Sequence, residues 1–352
     1  MPRRKIIIDT DCGGDDAIGI MAALTDPNTE VIAITVVWGN VGVDQGLENI
    51  GKLLDVFERD IPFYKGATTP LVADRETVPW GGFGKDGFGD AEFPSSARVG
   101  RQPKTQAAFA ITELLRSAKA EEDTVYQLVC LGPLTNIALA MRLEPDVFDV
   151  LGSETEPAIT IMGGAIEAKG NSNLTAEFNI HCDPEAAFVV FNQRRMRPIR
   201  VVSWEVTVDC SMTWDFFDKW VGRRADGQKK QNKYQVFIEK VFQRLETFTR
   251  PLPDGTKADT GDAEATQDNT CVIPDAVAMV AALRPESILD RLLTYCTIEL
   301  HGRETRGETC LDWYGTAQSM AKRGRWRNCE VITRVDNQQF LKAMHDIIRY
   351  VG

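Results

Sequence analysis

The sequence predicts an α/β protein with a doubly wound, mostly parallel central sheet flanked by helices. Short runs rich in Ile and Val recur along the chain, as is typical of strands buried on both faces. Amphipathic stretches of helical length lie between them, and such alternation favours a parallel sheet. The chain has 352 residues, of which 43% are hydrophobic. This is enough to build the core of such a sheet.

The elements follow one another in regular order. The predicted strands are residues 5–8, 31–37, 125–129, 159–162 and 199–202. The predicted helices are residues 15–24, 43–57, 105–118, 134–143 and 184–191. In doubly wound sheets the ligand binds beyond the carboxyl ends of the strands. The loops that follow the predicted strands are therefore where we expect the site.

Two segments interrupt the alternation, and we predict that they are lid loops, near 78–93 and 223–270. The first is rich in Gly and aromatic residues, and the second contains the polar stretches 223–233 and 251–270. Loops of this length are uncommon unless they close over a site or are disordered. With no internal repeat and no linker, the sequence predicts a single domain over 1–352.

Composition excludes several kinds of partner. The net charge of −11 would repel a nucleic-acid backbone. No apolar run approaches the ~18 residues that a membrane span needs, and no signal-peptide core follows the basic residues at the start. The eight cysteines are scattered without a C-x-x-C pair, which favours reduced thiols. We therefore expect a cytoplasmic protein that acts on neither nucleic acid nor membrane.

Four carboxylates follow the first predicted strand within eight residues: Asp9, Asp11, Asp15 and Asp16. Helix capping and turn formation would explain some of them. Crowding the others into a buried loop would raise their pKa values steeply unless a cation were present. Hard oxygen ligands select Ca²⁺ or Mg²⁺. This cluster therefore predicts a metal site at the end of the strand.

Residues 9–17, DTDCGGDDA, resemble the amino-terminal signature of the inosine–uridine-preferring nucleoside hydrolase family, in a variant with Cys12 in the aspartate motif. Later segments resemble the family in the same order over roughly the whole chain. They are residues 39–40, 132–140, 162–164, 170–171, 176–180, 183–187 and 299–302. The resemblance implies a single α/β domain that binds one Ca²⁺ and hydrolyses the N-glycosidic bond of ribonucleosides to ribose and free base.

The resemblance also implies roles for individual residues. Asp11, Asp16 and Asp275 would bind Ca²⁺ through carboxylates, and Leu131, where the family usually has Thr, would bind it through its backbone carbonyl. Asp11 would also be the catalytic base that takes a proton from the attacking water. The residues implied to bind ribose are Asp15, Asn40, Met162, Asn171, Glu177 and Asn179. A homo-oligomer, either dimer or tetramer, and a role in purine salvage are further expectations.

The chain departs from the family where the nucleobase would bind. Pro274 stands where some members carry His and purine-specific members carry Trp, and Phe83 stands at another usual His. Candidate base contacts are therefore the aromatic residues of the first lid, Trp80, Phe83 and Phe88. Their rings would favour the large face of a purine, although they could instead anchor the loop to the body. We expect a preference for inosine or guanosine.

No leaving-group acid is evident. None of the three histidines falls in a family acid position, although His181 could still contact substrate. Asp86 or a carboxylate within 251–270 could supply the proton, and the sequence does not choose between them. Cys12 could be a nucleophile, but neighbouring carboxylates would raise its pKa, so we expect a buried packing residue.

Two other functions compete with nucleoside hydrolysis. A strand followed by Asp-x-Asp also opens haloacid-dehalogenase-like phosphohydrolases, but those usually carry a Thr and a bulky apolar residue soon afterwards. A non-catalytic nucleoside-binding protein would keep the ribose contacts and lose the base Asp11 or the metal ligands. Because all of these residues are present, we expect a hydrolase.

Overall fold

The structure is a computed structural model that describes residues 3–72, 81–118, 124–153, 156–193, 197–224, 227–251, 269–315 and 326–350. The strands are β1 (Arg3–Thr10), β2 (Thr29–Val36), β3 (Phe63–Lys65), β4 (Thr124–Cys130), β5 (Ile159–Met162), β6 (Ile199–Val202), β7 (Met212–Thr213), β8 (Thr270–Cys271), β9 (Ile288–Thr294), β10 (Cys296–Ile298), β11 (Thr309–Leu311) and β12 (Cys329–Val335). The α-helices are α1 (Gly14–Thr25), α2 (Val43–Phe57), α3 (Ala107–Ala118), α4 (Thr135–Leu143), α5 (Phe178–Cys182), α6 (Pro184–Phe191), α7 (Trp204–Asp209), α8 (Trp214–Trp220), α9 (Lys233–Thr249), α10 (Pro274–Leu283) and α11 (Asn337–Arg349). Short 3₁₀ helices span Gly81–Phe83, Val99–Arg101, Pro145–Val150 and Pro285–Ser287.

Eight strands form the central sheet, in the order β3-β2-β1-β4-β5-β6-β12-β9. Every neighbouring pair is parallel except β12 with β9. This confirms the predicted mostly parallel, doubly wound sheet. The five predicted strands correspond to β1, β2, β4, β5 and β6, and the five predicted helices to α1, α2, α3, α4 and α6.

Two apolar cores cover the two faces of the sheet. Ile6 and Ile8 of β1 belong to the core that includes α1, α2, α9, α10 and α11, and Ile7 belongs to the core of α3, α4 and α6. Successive side chains of a strand point to opposite faces, so a continuous apolar run serves both cores at once. The run Ile6 to Ile8 is therefore what places β1 in the middle of the protein.

The order of the strands locates the binding crevice. From β1 the chain adds β2 and β3 on one side, and β4 then pairs with β1 on the other side. The strand order therefore switches direction between β1 and β4, and ligands bind at such a switch point, beyond the carboxyl ends of the strands. The aspartate-rich loop after β1 lies at this point.

The second predicted lid segment is not a loop throughout, because residues Lys233–Thr249 form helix α9. Asn232 and Gln235 make a capping box at its start, and one face is buried through Tyr234, Phe237, Ile238, Val241, Phe242 and Leu245. In the first segment, Gly81–Phe83 form a 3₁₀ turn. Residues 78–80 and 252–268 lie outside the described residues, so a lid role stays a prediction. Within the described ranges, no helix is long and apolar enough to cross a membrane.

Helices α1 and α10 approach closely at Gly19. A Cβ atom at this position would lie 3.1 Å from the backbone oxygen of Asp275 and 3.4 Å from a methyl carbon of Leu131. Pro274 begins α10, where a missing N–H costs nothing. The absence of a side chain at Gly19 therefore lets the start of α10 reach the end of β1.

We expect Gly19→Val to lower the free energy of unfolding by about 1–3 kcal/mol, because the added methyl groups would push α10 away from α1. Urea unfolding monitored by circular dichroism measures this. Gly100→Val is the matched control, since no atom lies within 4 Å of a Cβ built there. Equal stability of the two variants would contradict the close packing of these helices.

Candidate active site

Asp9, the first of the four carboxylates after β1, has a structural role. It is fully buried, and its Oδ1 accepts hydrogen bonds from Thr35 on β2 and from Nδ2 of Asn136 on α4, the latter at 2.8 Å. Burial raises the pKa of Asp9 to about 7. Through Oδ1 the side chain thus connects β1, β2 and α4 below the crevice.

Asp16 closes the loop between β1 and α1. Its carboxylate accepts a hydrogen bond from the hydroxyl of Thr10 and another from the backbone N–H of Gly13 at 2.8 Å. The N–H of Cys12, whose φ of 51° is left-handed, donates to the same Thr10 hydroxyl at 3.0 Å. These bonds fix the loop so that Asp11 and Asp16 face the same point.

Asp11 lies in a slot between two glycines. A Cβ at Gly39 would lie 2.0 Å from its Oδ2, and a Cβ at Gly132 would lie 3.0 Å from its Oδ1. The backbone N–H of Asn40 donates to Oδ2 at 2.6 Å. Oδ1 is buried and has no hydrogen-bond partner among the described residues. One oxygen of Asp11 is therefore held by the backbone, and the other is left for a ligand.

Four buried carboxylates converge here from opposite ends of the chain. Asp15, Asp16 and Asp275 each offer an oxygen within 4.8 Å of the others, and Asp11 lies close enough that its charge raises the pKa of Asp275. Burial, and then the neighbouring carboxylates, raise the pKa of Asp11 and of Asp275 well above the usual range. None of the four forms an ion pair with a described Lys or Arg. Such a group of oxygen atoms is suited to a hard divalent cation.

Glu177 and Asn179 line the next part of the site. Glu177 caps α5: Oε1 accepts from the N–H of Asn179 at 2.9 Å, and Oε2 accepts from Gly164 at 3.0 Å and Ile180 at 3.2 Å. Burial nevertheless raises the pKa of Glu177 to about 7. Nδ2 of Asn179 donates to the carbonyl of Leu131 at 2.8 Å. The proposed carbonyl ligand is therefore already oriented by a ribose-binding candidate.

A cavity of about 220 Å³ opens above these groups. All six predicted ribose contacts line it, together with Leu131 and Asp275, whereas Asp11 and Asp16 are fully buried beneath it. The lining residues are Asp15, Asn40, Phe83, Leu131, Met162, Asn171, Ser172, Glu177, Phe178, Asn179, Trp204, Leu245, Thr249, Thr270, Val272, Pro274 and Asp275. We call the carboxylates and amides of this lining the polar end of the cavity and its aromatic and aliphatic residues the apolar end; together they would suit a sugar joined to a flat ring.

The structure places only some of the base-contact candidates at this cavity. Phe83 lines it and meets Phe242 edge to face, with ring centroids 6.4 Å apart. Phe88 does not line it: the ring is fully buried and packs on Phe93 and Phe237, because the glycine-rich loop uses it as an anchor. Trp80 lies outside the described residues.

Two of the acid candidates, Asp86 and His181, do not line the cavity. Asp86 is engaged within its own loop, where Oδ1 accepts from the N–H groups of Phe88 and Asp90, each at 2.8 Å. No histidine is among the described lining residues: Nδ1 of His181 lies 3.3 Å from Asn173, and His345 packs edge-on to Phe216. The other candidate segment, 251–270, lies mostly outside the described residues.

Cys12 is a packing residue, as expected. It is fully buried, and burial together with Asp16 and Asp11 raises the pKa of its thiol well above the usual range. A thiol that stays protonated is a poor nucleophile.

Sequence reasoning missed much of the apolar end of the cavity. Trp204 follows β6 directly, so the strand-end rule could have found it. Leu245 and Thr249 lie on α9, and Val272 follows the two-residue strand β8. No motif and no strand end of the central sheet signals these three positions, because the packing of α9 and of β8, which lies outside that sheet, brings them to the cavity.

Comparison with known proteins identifies the family. The model of the inosine-uridine preferring nucleoside hydrolase family matches residues 6–342. A solved structure named inosine-guanosine nucleoside hydrolase is similar to this chain, with 61% identity, 99% of this chain and 100% of that chain covered, and a TM-score of 0.92. The inosine-uridine preferring nucleoside hydrolase of Leishmania major is 28% identical over 100% of this chain and 99% of its own length.

The match to plant relatives is shorter. The chain spans 59% of the length of the probable uridine nucleosidase 2 of Oryza sativa subsp. japonica, at 33% identity over 59% of this chain. It spans 64% of the Arabidopsis thaliana protein of the same name, at 37% identity over 62% of this chain.

A switch-point cavity with buried carboxylates beneath it is the arrangement of a ligand-binding α/β enzyme. The chain belongs to the inosine-uridine preferring nucleoside hydrolase family, and it is an enzyme. This confirms the resemblance of the aspartate-rich segment and the later motifs, and it removes the phosphohydrolase and the non-catalytic alternatives.

The raised pKa of Glu177 predicts a pH effect on stability. Between its ordinary value of 4.5 and about 7, the folded protein holds a proton that the unfolded chain releases. This contribution to stability is therefore lost as pH rises through that range. Between pH 5 and pH 8, we expect the free energy of unfolding of the unmodified protein to fall by on the order of 3 kcal/mol more than that of Glu177→Gln.

Denaturant unfolding at the two pH values measures the difference, with the exposed Glu92→Gln as control. Parallel losses of stability in the Glu177→Gln variant and the unmodified protein would contradict the buried state of this carboxyl.

Proposed function

We propose that this enzyme hydrolyses the N-glycosidic bond of ribonucleosides in a Ca²⁺-dependent reaction, with a preference for inosine and guanosine. The observation that carries the proposal is the meeting of four buried carboxylates, Asp11, Asp15, Asp16 and Asp275, below a cavity lined by the six ribose-binding candidates. Without a positive charge such a cluster could not remain ionised.

The residues present fit a calcium ion. Asp11 and Asp15 each have a buried Oδ1 without a partner among the described residues, and the carboxylates around them supply hard oxygen ligands. Asp11, Asp16 and Asp275 would hold the ion through carboxylates, and Leu131 through its carbonyl. When bound, Ca²⁺ supplies the positive charge that keeps the carboxylates ionised and makes a nearby water more acidic.

The chain's own residues then perform the hydrolysis. The carboxylate of Asp11 accepts a proton from water, while the N–H of Asn40 holds its Oδ2 in place. The water oxygen bonds to the anomeric carbon, the carbon–nitrogen bond breaks, and the departing base takes up a proton from solvent, to which Asp11 returns the proton it received. Positive charge develops on the ribose ring during this step, and the surrounding carboxylates stabilise it.

The ribose would be oriented by the polar end of the cavity. Asp15, Asn40, Asn171, Glu177 and Asn179 offer donors and acceptors to its hydroxyl groups. Met162 offers an apolar contact to the ring. Several of these side chains are fixed by backbone hydrogen bonds, such as that from the N–H of Phe178 to Oδ1 of Asn171 at 2.8 Å. Such pre-organisation lowers the cost of orienting the sugar.

The purine preference rests on the apolar end. Phe83, Phe178 and Trp204 offer aromatic surface there, and no described histidine is at hand to protonate a pyrimidine. The relative that is 61% identical is named for inosine and guanosine. The plant relatives named for uridine match 59% and 62% of the chain, and the full-length Leishmania major relative is named for both inosine and uridine.

We also propose a role in purine salvage in the cytoplasm, where the eight free cysteines would stay reduced, and assembly into a homo-oligomer, either dimer or tetramer.

A nucleoside panel scored by ribose release tests the substrate preference. We expect inosine or guanosine to exceed uridine in kcat/KM by at least ~10-fold, or about 1.4 kcal/mol, because uracil offers a smaller face to the aromatic surface. Phe83→Ala should narrow this gap, while Phe109→Ala, which removes an exposed ring on α3, should not. Equal efficiency of the unmodified enzyme on uridine and inosine would contradict the preference.

Removal of the ion tests the calcium requirement. Prolonged chelation should abolish ribose release, and added Ca²⁺ should restore it and raise the melting temperature, since the ion relieves repulsion among buried carboxylates. Full activity after verified removal of Ca²⁺ would contradict the requirement.

A further inference from the structure

One part of the cavity wall is built by two segments that are distant in sequence. Leu245 and Thr249 come from the last turns of α9, whereas Thr270 and Val272 come from β8 and the residue after it. All four line the same cavity. Their relative positions therefore depend on the non-covalent contacts that link the end of α9 to β8.

A cluster of ion pairs fixes the end of α9 on α8. The guanidinium of Arg250 binds both carboxylate oxygens of Asp218, with Nη1 to Oδ1 at 3.0 Å. Arg223 binds the same Oδ1 at 2.9 Å and both oxygens of Glu246 at 2.7 and 2.9 Å. The hydrogen bonds from Arg250 lower the pKa of Asp218 below its usual range, so this carboxylate is ionised at neutral pH.

The start of α8 also touches β8. The guanidinium of Arg250 lies over the ring of Trp214, 5.7 Å from its centroid. The backbone N–H of Trp214 donates to the carbonyl of Asn269 at 3.3 Å, and Thr213 pairs with Thr270 in the two-stranded sheet of β7 and β8. One turn of α8 thus contacts both segments of the wall.

We propose that Asp218 and Arg250 are positioning residues that set the wall of Thr249 and Thr270 against the departing nucleobase. This rests on the proposed function, in which the ribose occupies the polar end. Neither residue is among the described residues that line the cavity. A bidentate pair between Arg and a carboxylate has a defined geometry, whereas a partly exposed pair adds little to stability. At 27% and 30% side-chain exposure, this pair contributes orientation more than stability.

The test separates the base from the ribose. Inosine and 4-nitrophenyl β-D-ribofuranoside share the sugar. Nitrophenolate, however, leaves without being protonated, and its departure does not need a wall shaped to a purine. In Asp218→Asn and Arg250→Gln, we expect kcat/KM to fall at least ~10-fold for inosine and less than ~3-fold for the nitrophenyl riboside. Arg250→Lys keeps the charge without the bidentate geometry, so its kcat/KM for inosine should lie between those of Arg250→Gln and the unmodified enzyme.

Arg4→Gln is the matched control. It breaks a comparably buried pair with Glu156, at 3.0 Å and with 15% and 19% side-chain exposure, at the opposite end of β1 from the site. It should leave the ratio of the two substrates unchanged.

Parallel losses on both substrates, unchanged activity on inosine, or the same selective loss in Arg4→Gln would each overturn the positioning role. Release of ribose from neither substrate by the unmodified enzyme would overturn the proposed function and this inference together. Activity of the unmodified enzyme therefore distinguishes failure of the positioning role from failure of the proposed function.

Discussion

Repulsion among buried carboxylates at the end of β1 is the constraint on which the rest of the structure depends. Asp11, Asp15, Asp16 and Asp275 are all nearly inaccessible to solvent, and the charges of Asp15 and Asp16 raise the pKa of both Asp11 and Asp275. Burying even one ionised carboxylate without a partner costs several kcal/mol. A cation bound among the four carboxylates would offset this cost, and calcium is the ion we propose.

Close approach of the backbone makes this cluster possible. Gly39 and Gly132 form the slot around Asp11, and Gly19 lets the start of α10 bring Asp275 to the same point. Any larger residue at Gly39 would meet the carboxylate itself, since a Cβ there would lie 2.0 Å from Oδ2. The glycines of this region are therefore part of the site, although none of them offers a side chain to a ligand.

The cavity is lined by two groups of segments. Asp15, Asn40, Glu177 and Asn179 lie in the segments that follow β1, β2 and β5 of the central sheet. Leu245 and Thr249 of α9 and Thr270 of β8 also line the cavity, and α8 contacts both of these segments. We infer that the central sheet positions the residues that would bind ribose, whereas the choice of base depends on how the outer helices pack.

The same division explains how much could be predicted from sequence. The carboxylates and ribose-binding candidates follow buried apolar strands, so periodicity and family motifs locate them together. The strands β9 and β12 escape prediction because charged residues such as Arg291 and Glu330 interrupt their apolar pattern. For Phe88 the sequence leaves a base contact and a loop anchor open, because it does not show on which side of a loop an aromatic ring lies; in the structure Phe88 is an anchor. Leu245 and Thr249 carry no local signal, since α9 brings them to the cavity only through tertiary packing.

Calorimetric titration of Ca²⁺ into chelator-treated protein tests the central claim most directly, because it measures binding without requiring turnover. We predict one ion per chain in the unmodified protein and loss of that binding in Asp16→Asn, which keeps the shape of the side chain and removes its charge. Glu92→Gln should bind like the unmodified protein. Absence of binding to the unmodified protein, or equal binding to Asp16→Asn, would contradict the account of the carboxylate cluster as a cation site.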